Sequence, residues 1–155
     1  KFAQTGVYHD GYYMDRTQKV EYLVHECSRR NVKIHLRVCW ITEGGHNCCQ
    51  CEKCIRTIFN ILAVGGDPKK MGFDVHKKQE KQFKKIVVAT LNAPNMRFGW
   101  HKIQDYILSH DTFVAKENPD YNWIYTINID KAFPKPSVLK RGCRKLKRIV
   151  KRIIK

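Results

Sequence analysis

Cys39-Trp40-Ile41-Thr42-Glu43-Gly44-Gly45-His46-Asn47-Cys48-Cys49-Gln50-Cys51-Glu52-Lys53-Cys54 holds most of the chain's cysteines. Eight residues part Cys39 from Cys48, and two part Cys48 from Cys51 and Cys51 from Cys54. A two-residue gap lets one tight turn aim two thiolates at a common point, about 2.3 Å from a tetrahedral cation. Cys48, Cys51 and Cys54 can therefore converge around a single turn, and Cys39 supplies the fourth ligand. Four thiolates at this spacing predict a structural zinc site.

Competing readings of the cluster are few. Cys48-x-x-Cys51-x-x-Cys54 also opens like a ferredoxin-type iron–sulfur run, but that pattern wants a fourth cysteine followed by proline. Ile58 and Phe59 stand there instead. Free buried thiols or an adventitious disulfide are the metal-free alternatives. Cys49 and His46 are second-choice ligands, since Cys49 points away if its neighbours Cys48 and Cys51 both bind.

The flanks set the expected fold. Upstream, Val32, Ile34, Leu36 and Val38 alternate with Lys33, His35 and Arg37, which predicts a short strand running into Cys39. Val7-Tyr8-His9-Asp10-Gly11 predicts a strand and turn, and Asp15 begins a helix through Val20, Leu23, Val24 and Cys27 that Arg29-Arg30-Asn31 ends. Downstream, residues 52–64 read as a helix that brings Cys54 into its first turn. Gly65-Gly66-Asp67-Pro68 stops it. Further helices are predicted over 75–91 and 97–109, with Asn92-Ala93-Pro94-Asn95 as a breaker between them. Residues 119–131 read either as a strand or as a helix. The expected class is α+β but predominantly helical: short strands lead into the zinc knuckle, and several packed helices follow. The divisions are residues 1–65 around the knuckle, a helical region 66–136, and a basic amphipathic tail 137–155.

A chain of 155 residues with 43% hydrophobic content suits one core. Its net charge of +16 is unevenly spread, because nine lysines or arginines and no acid fall between Val138 and Lys155. The body is only moderately basic, which weakens a global nucleic-acid reading. In the tail, Leu139, Cys143, Leu146, Ile149, Val150, Ile153 and Ile154 share a helical stripe. Arg144, Lys145, Arg148, Lys151 and Arg152 are the candidate contacts to an anionic membrane surface or to phosphates. Docking of the stripe on the chain's own domain ranks first among these readings, and membrane contact second. Nucleic acid ranks below a membrane surface, because the tail has no aromatic or Asn/Gln base reader. No apolar signal region follows Lys1, and no stretch approaches a membrane span. Clustered thiols without an export signal lead to the expectation of a cytoplasmic protein, peripheral at the inner membrane face through its tail.

The knuckle resembles that of a known family. Leu36-Arg37-Val38-Cys39-Trp40, Asn47-Cys48 and Cys51-Glu52-Lys53-Cys54-Ile55-Arg56-Thr57 resemble the zinc knuckle of PP-loop ATP pyrophosphatases, the adenine nucleotide alpha hydrolase-like superfamily. The spacing is similar to that of the cyano-deazaguanine synthases. The wording is similar to uncharacterised bacterial relatives that often accompany surface-polysaccharide genes. Cys49 departs from the pattern, where such knuckles commonly carry glycine. The resemblance covers roughly the first 65 residues and is specific only at the knuckle.

Several expectations follow from that resemblance. Cys39, Cys48, Cys51 and Cys54 would be the zinc ligands, and Asp10, Arg16 and Lys19 are candidate nucleotide or substrate contacts. The family holds ATP with a Ser-Gly-Gly-x-Asp-Ser loop, which this sequence lacks; Gly44-Gly45 and Gly65-Gly66 have no flanking Ser and Asp. The chain is then expected to be a noncatalytic carboxy-terminal part, with ATP bound only in a longer parent and the parent's PP-loop region as its partner. That parent would activate a carboxyl or amide oxygen with ATP. A zinc-containing nucleic-acid-binding module is the alternative from another class. No other catalytic constellation stands out among the scattered histidines, and His101 beside Trp100 reads as packing or surface.

Overall fold

The computed structural model describes residues 11–130. The early strand signal at Val7-Tyr8, Asp10 and the whole basic tail lie outside the described residues. The elements are α1 (Arg16–Arg30), α2 (Glu52–Ala63), a 3-10 turn (Pro68–Met71), α3 (Lys77–Thr90), α4 (Pro94–Ser109) and the single-turn α5 (Trp123–Thr126).

Helix α1 starts where its cap requires. Asp15 Oδ1 accepts from the Gln18 backbone N–H at 2.9 Å, and the Gln18 side chain accepts from the Asp15 N–H at 2.8 Å, a reciprocal capping box. Asn31 closes the helix in the left-handed conformation that asparagine tolerates. Helix α4 begins three residues earlier than the periodicity suggests. Pro94 occupies its first position, where proline's missing N–H has no helical partner to lose. The 3-10 turn, absent from the sequence reading, is capped by Asp67, whose side chain accepts from the Lys69 N–H at 2.9 Å.

The core is built around α2. Cys54, Ile55, Ile58, Phe59, Ile61, Leu62 and Ala63 are all buried, so this helix is apolar nearly all round and is enclosed by α1, α3 and α4. Phe59 is the hub. Its ring centroid lies 5.1 Å from Trp123, 5.2 Å from Tyr121, 5.7 Å from Trp100, 6.3 Å from Phe83 and 6.4 Å from Phe113. One phenyl ring thus joins α2 to α3, to α4 and to the segment after α4.

The α+β expectation is overturned: among the described residues there is helix and irregular chain but no strand or sheet. Residues 32–38 keep the alternation that suggested a strand, with Ile34, Leu36 and Val38 turned partly inward and Lys33, His35 and Arg37 exposed. They lack a ladder to join. The Leu36 N–H donates to the Met71 carbonyl at 3.1 Å, and the side chain of Asn47 serves the backbone of Leu36, Val38 and Cys39. Period-two burial records an extended segment lying on a core, and pairing needs a second strand, of which there is none among the described residues. Over 119–131 the described part holds only the single turn of α5, and Ile127 leaves it in an extended conformation. No helix among the described residues is long and apolar enough to cross a membrane.

Candidate metal centre

Two pieces of chain deliver the cysteines. Cys39 ends the extended segment and is 4% exposed; Cys51 is the N-cap of α2, and Cys54 sits fully buried in that helix's first turn. Cys48 precedes them in the connecting loop. The four Sγ atoms of Cys39, Cys48, Cys51 and Cys54 all lie within 4.8 Å of one another, with Cys48 and Cys54 at 3.9 Å. A tetrahedral cation held by sulfur at about 2.3 Å sets its donors about 3.8 Å apart, so this constellation is the size of a four-sulfur shell. The sequence reading of these four residues as one cluster thus agrees with their placement. Neither Cys49 nor His46 joins it.

The donor chemistry fits a cation as well. Cys48 Sγ accepts backbone N–H groups from Gln50 at 3.4 Å and Cys51 at 3.3 Å, the turn that a two-residue spacing makes. Burial works against a Cys39 thiolate. Donors from the backbone of Cys48, from Thr42 side chain and backbone, and from Ile41 outweigh it and hold that thiol down at about 5. Burial, reinforced by the neighbouring sulfurs, pushes Cys54 far up and raises Cys51 too. Without a cation, burial thus opposes ionisation of Cys51 and Cys54 while the donors around Cys39 favour it there. A divalent ion is what lets the remaining thiols ionise together.

Asn47 holds the loop on the extended segment. Its Oδ1 accepts from the Val38 and Cys39 N–H groups, both at 3.2 Å, and its Nδ2 donates to the carbonyls of Leu36 at 2.7 Å and Gly72 at 3.0 Å. Arg37 adds a second brace: Nε donates to the Cys39 carbonyl and Nη2 to the Thr42 carbonyl, each at 2.7 Å. Sequence reasoning noted Asn47 only as a neighbour of Cys48. Its signal was an asparagine abutting the first cysteine of a turn, where a side-chain amide can stand in for backbone pairing.

Cys49 is explained by its backbone. It adopts φ 53°, a left-handed conformation, with its side chain 1% exposed and its thiol pushed up to about 11 by burial. The odd cysteine therefore turns into the core and away from the cluster. Trp40, beside Cys39, is 77% exposed, and Lys53 Nζ lies 4.1 Å above its ring.

The other candidate residues fall apart from the cysteines. Arg16 is the first residue of α1 and is exposed, lining a small cavity with Arg56 and Lys102; Lys19 sits a turn later, its side chain beside Gly11. Asp10, Arg144, Lys145, Arg148, Lys151 and Arg152 lie outside the described residues. Arg56, which sequence reasoning did not single out, is held by burial below the usual guanidinium range, partly offset by Glu52. Comparison with protein-family models, with curated proteins and with solved structures found no match.

Proposed function

We propose that this chain is a structural zinc module, in which zinc bound by Cys39, Cys48, Cys51 and Cys54 staples the extended segment 32–39 to the N-terminus of α2. The convergence of four sulfurs from both sides of one loop carries this reading. Zinc suits an all-sulfur tetrahedral shell, and four protein ligands leave no open position for water. The metal's contribution is therefore to folding, by tying down a loop that buries little of its own: Trp40 and Ile41 are both largely exposed. Removing the metal with a zinc-selective chelator is the test. The expected result is release of about one zinc per chain, exposure of the four thiols to titration, and loss of the native amide signals of residues 36–54. Unchanged signals after complete removal of the metal would defeat a structural role.

In the finer reading, the parent of this module is a PP-loop ATP pyrophosphatase-like protein, and the module braces a catalytic region supplied upstream. The wording of the knuckle, from Leu36 to Thr57, is what supports it. The parent's chemistry would be activation of a carboxyl or amide oxygen by ATP. A coding frame that runs upstream into a Ser-Gly-Gly-x-Asp-Ser loop is the expected finding, and a frame without one contradicts this reading.

One observation favours a second function, binding of nucleic-acid phosphates. Lys77, Lys78, Lys81, Lys84 and Lys85 are all exposed and fall within one third of the circumference of α3, opposite the buried Phe83 and Val87. No ion pair to any of the five forms among the described residues. Such a lysine face follows phosphates without reading bases.

A further inference from the structure

The first turn of α1, the middle of α2 and the first half of α4 meet around a cavity of about 150 Å³. Arg16, Arg56 and Lys102 line it, so three cations from three helices converge on one space. Asp15 and Glu52 accompany them. Asp15 Oδ1 is engaged in capping α1, while its Oδ2 lies 4.0 Å from Lys102 Nζ. Arg16 has no ion-pair partner among the described residues.

Arg56 is the unusual member. Its side chain is 13% exposed, and Nε stands 3.1 Å from Glu52 Oε1 but out of hydrogen-bond alignment, so both buried atoms lack an aligned partner. The terminal nitrogens of the guanidinium donate to no acceptor among the described residues. Of the guanidinium's five donors, the Nε–H is buried without an aligned acceptor, which is unfavourable.

The neighbouring helix yields to seat this group. A Cβ on Gly99 would stand 3.0 Å from Arg56 Nη1 and 3.1 Å from its Cδ. Glycine within a helix is less stable than alanine, so α4 gives up local stability where the guanidinium passes. Beneath it, Thr17 Oγ1 donates to Asn60 Oδ1 at 2.8 Å, and Asn60 Nδ2 donates to the Arg56 carbonyl at 2.8 Å. These polar groups satisfy one another and shape the floor. The charged donors left for a ligand are Arg16, Arg56 and Lys102, beside the neutral amide of Asn95.

We propose that Arg16, Arg56 and Lys102 form an oxyanion site that takes a phosphoryl group, from free phosphate or from the end of a larger phosphate ester. Arginine's fork of N–H groups matches paired phosphate oxygens, and lysine adds a point charge. The cavity is about half the smallest volume usual for drug-sized ligands, so a nucleotide enters by its terminal phosphate alone. The site stands independently of the zinc reading.

Titration of the full chain with inorganic phosphate tests it, followed by amide and arginine Nε–H NMR signals at an ionic strength held constant with chloride. The expected result is a saturable shift of the Arg56 Nε–H and Gly99 signals at millimolar phosphate or below. Arg16→Gln and Lys102→Gln, both near the surface, should each weaken binding by about fivefold or more while zinc content and the remaining spectrum stay unchanged. Shifts linear in phosphate, shifts reproduced by chloride, or an affinity unchanged by both substitutions would overturn the proposal. Adenosine diphosphate serves as the second arm. Binding about tenfold tighter than phosphate assigns the source to an ester terminus, and equal or weaker binding assigns it to the free ion; both keep the site. A protein that retains its zinc yet fails to bind phosphate sinks this inference alone.

Discussion

Asn47 occupies a position that no apolar residue could fill, because its amide answers two N–H groups and two carbonyls at once. Asn47→Ala should lower the stability of the zinc-loaded chain by about 2–3 kcal/mol, since partly buried donors and acceptors lose partners together. Urea unfolding checks this, and a change below about 0.5 kcal/mol would show that the loop is held by metal alone. The cysteines divide differently. Serine at Cys39, Cys48, Cys51 or Cys54 should abolish stoichiometric metal, whereas Cys49→Ser should leave it intact, because Cys49 faces the core. Loss of metal in Cys49→Ser with retention in Cys48→Ser would exchange their roles. The four-cysteine cluster was legible in the sequence because thiol spacing constrains where the sulfurs can converge. The left-handed backbone at Cys49 was not, since φ is a property of the finished loop.

At the scale of elements, the helices were legible and the strand was not. Apolar residues at helical spacing bury a face regardless of the partner, so α1 to α4 emerged with ends displaced by no more than three residues. Alternation over 32–38 describes the chain's orientation on the core, while a strand also needs a partner, which sequence periodicity cannot supply. Helix α3 carries its own test. Five exposed lysines on one face should give weak binding to duplex or single-stranded nucleic acid at low salt. Changing Lys78, Lys81 and Lys85 to Gln should reduce the log–log salt slope by about one unit for each lost phosphate contact. A chain that binds no nucleic acid at about 50 mM salt, where such contacts are strongest, would leave this face as a solvated surface.

For the molecule as a whole, Phe59 and the cysteine cluster each draw separate elements together, one through apolar burial and the other through converging sulfurs. Phe59→Ala should cost about 3–5 kcal/mol, a large share of a domain's usual 5–15 kcal/mol, because five aromatic neighbours lose a common contact. A loss below about 1 kcal/mol by urea unfolding would mean that the core repacks around the gap. The cysteine cluster carries the more exposed claim, the proposed zinc staple between α2 and the extended segment 32–39. Elemental analysis of the purified chain, after dialysis against metal-free buffer, tests it most directly. The expected result is about one zinc per chain with no iron or inorganic sulfide. Zinc well below stoichiometry in folded protein, or iron with sulfide in its place, would contradict it.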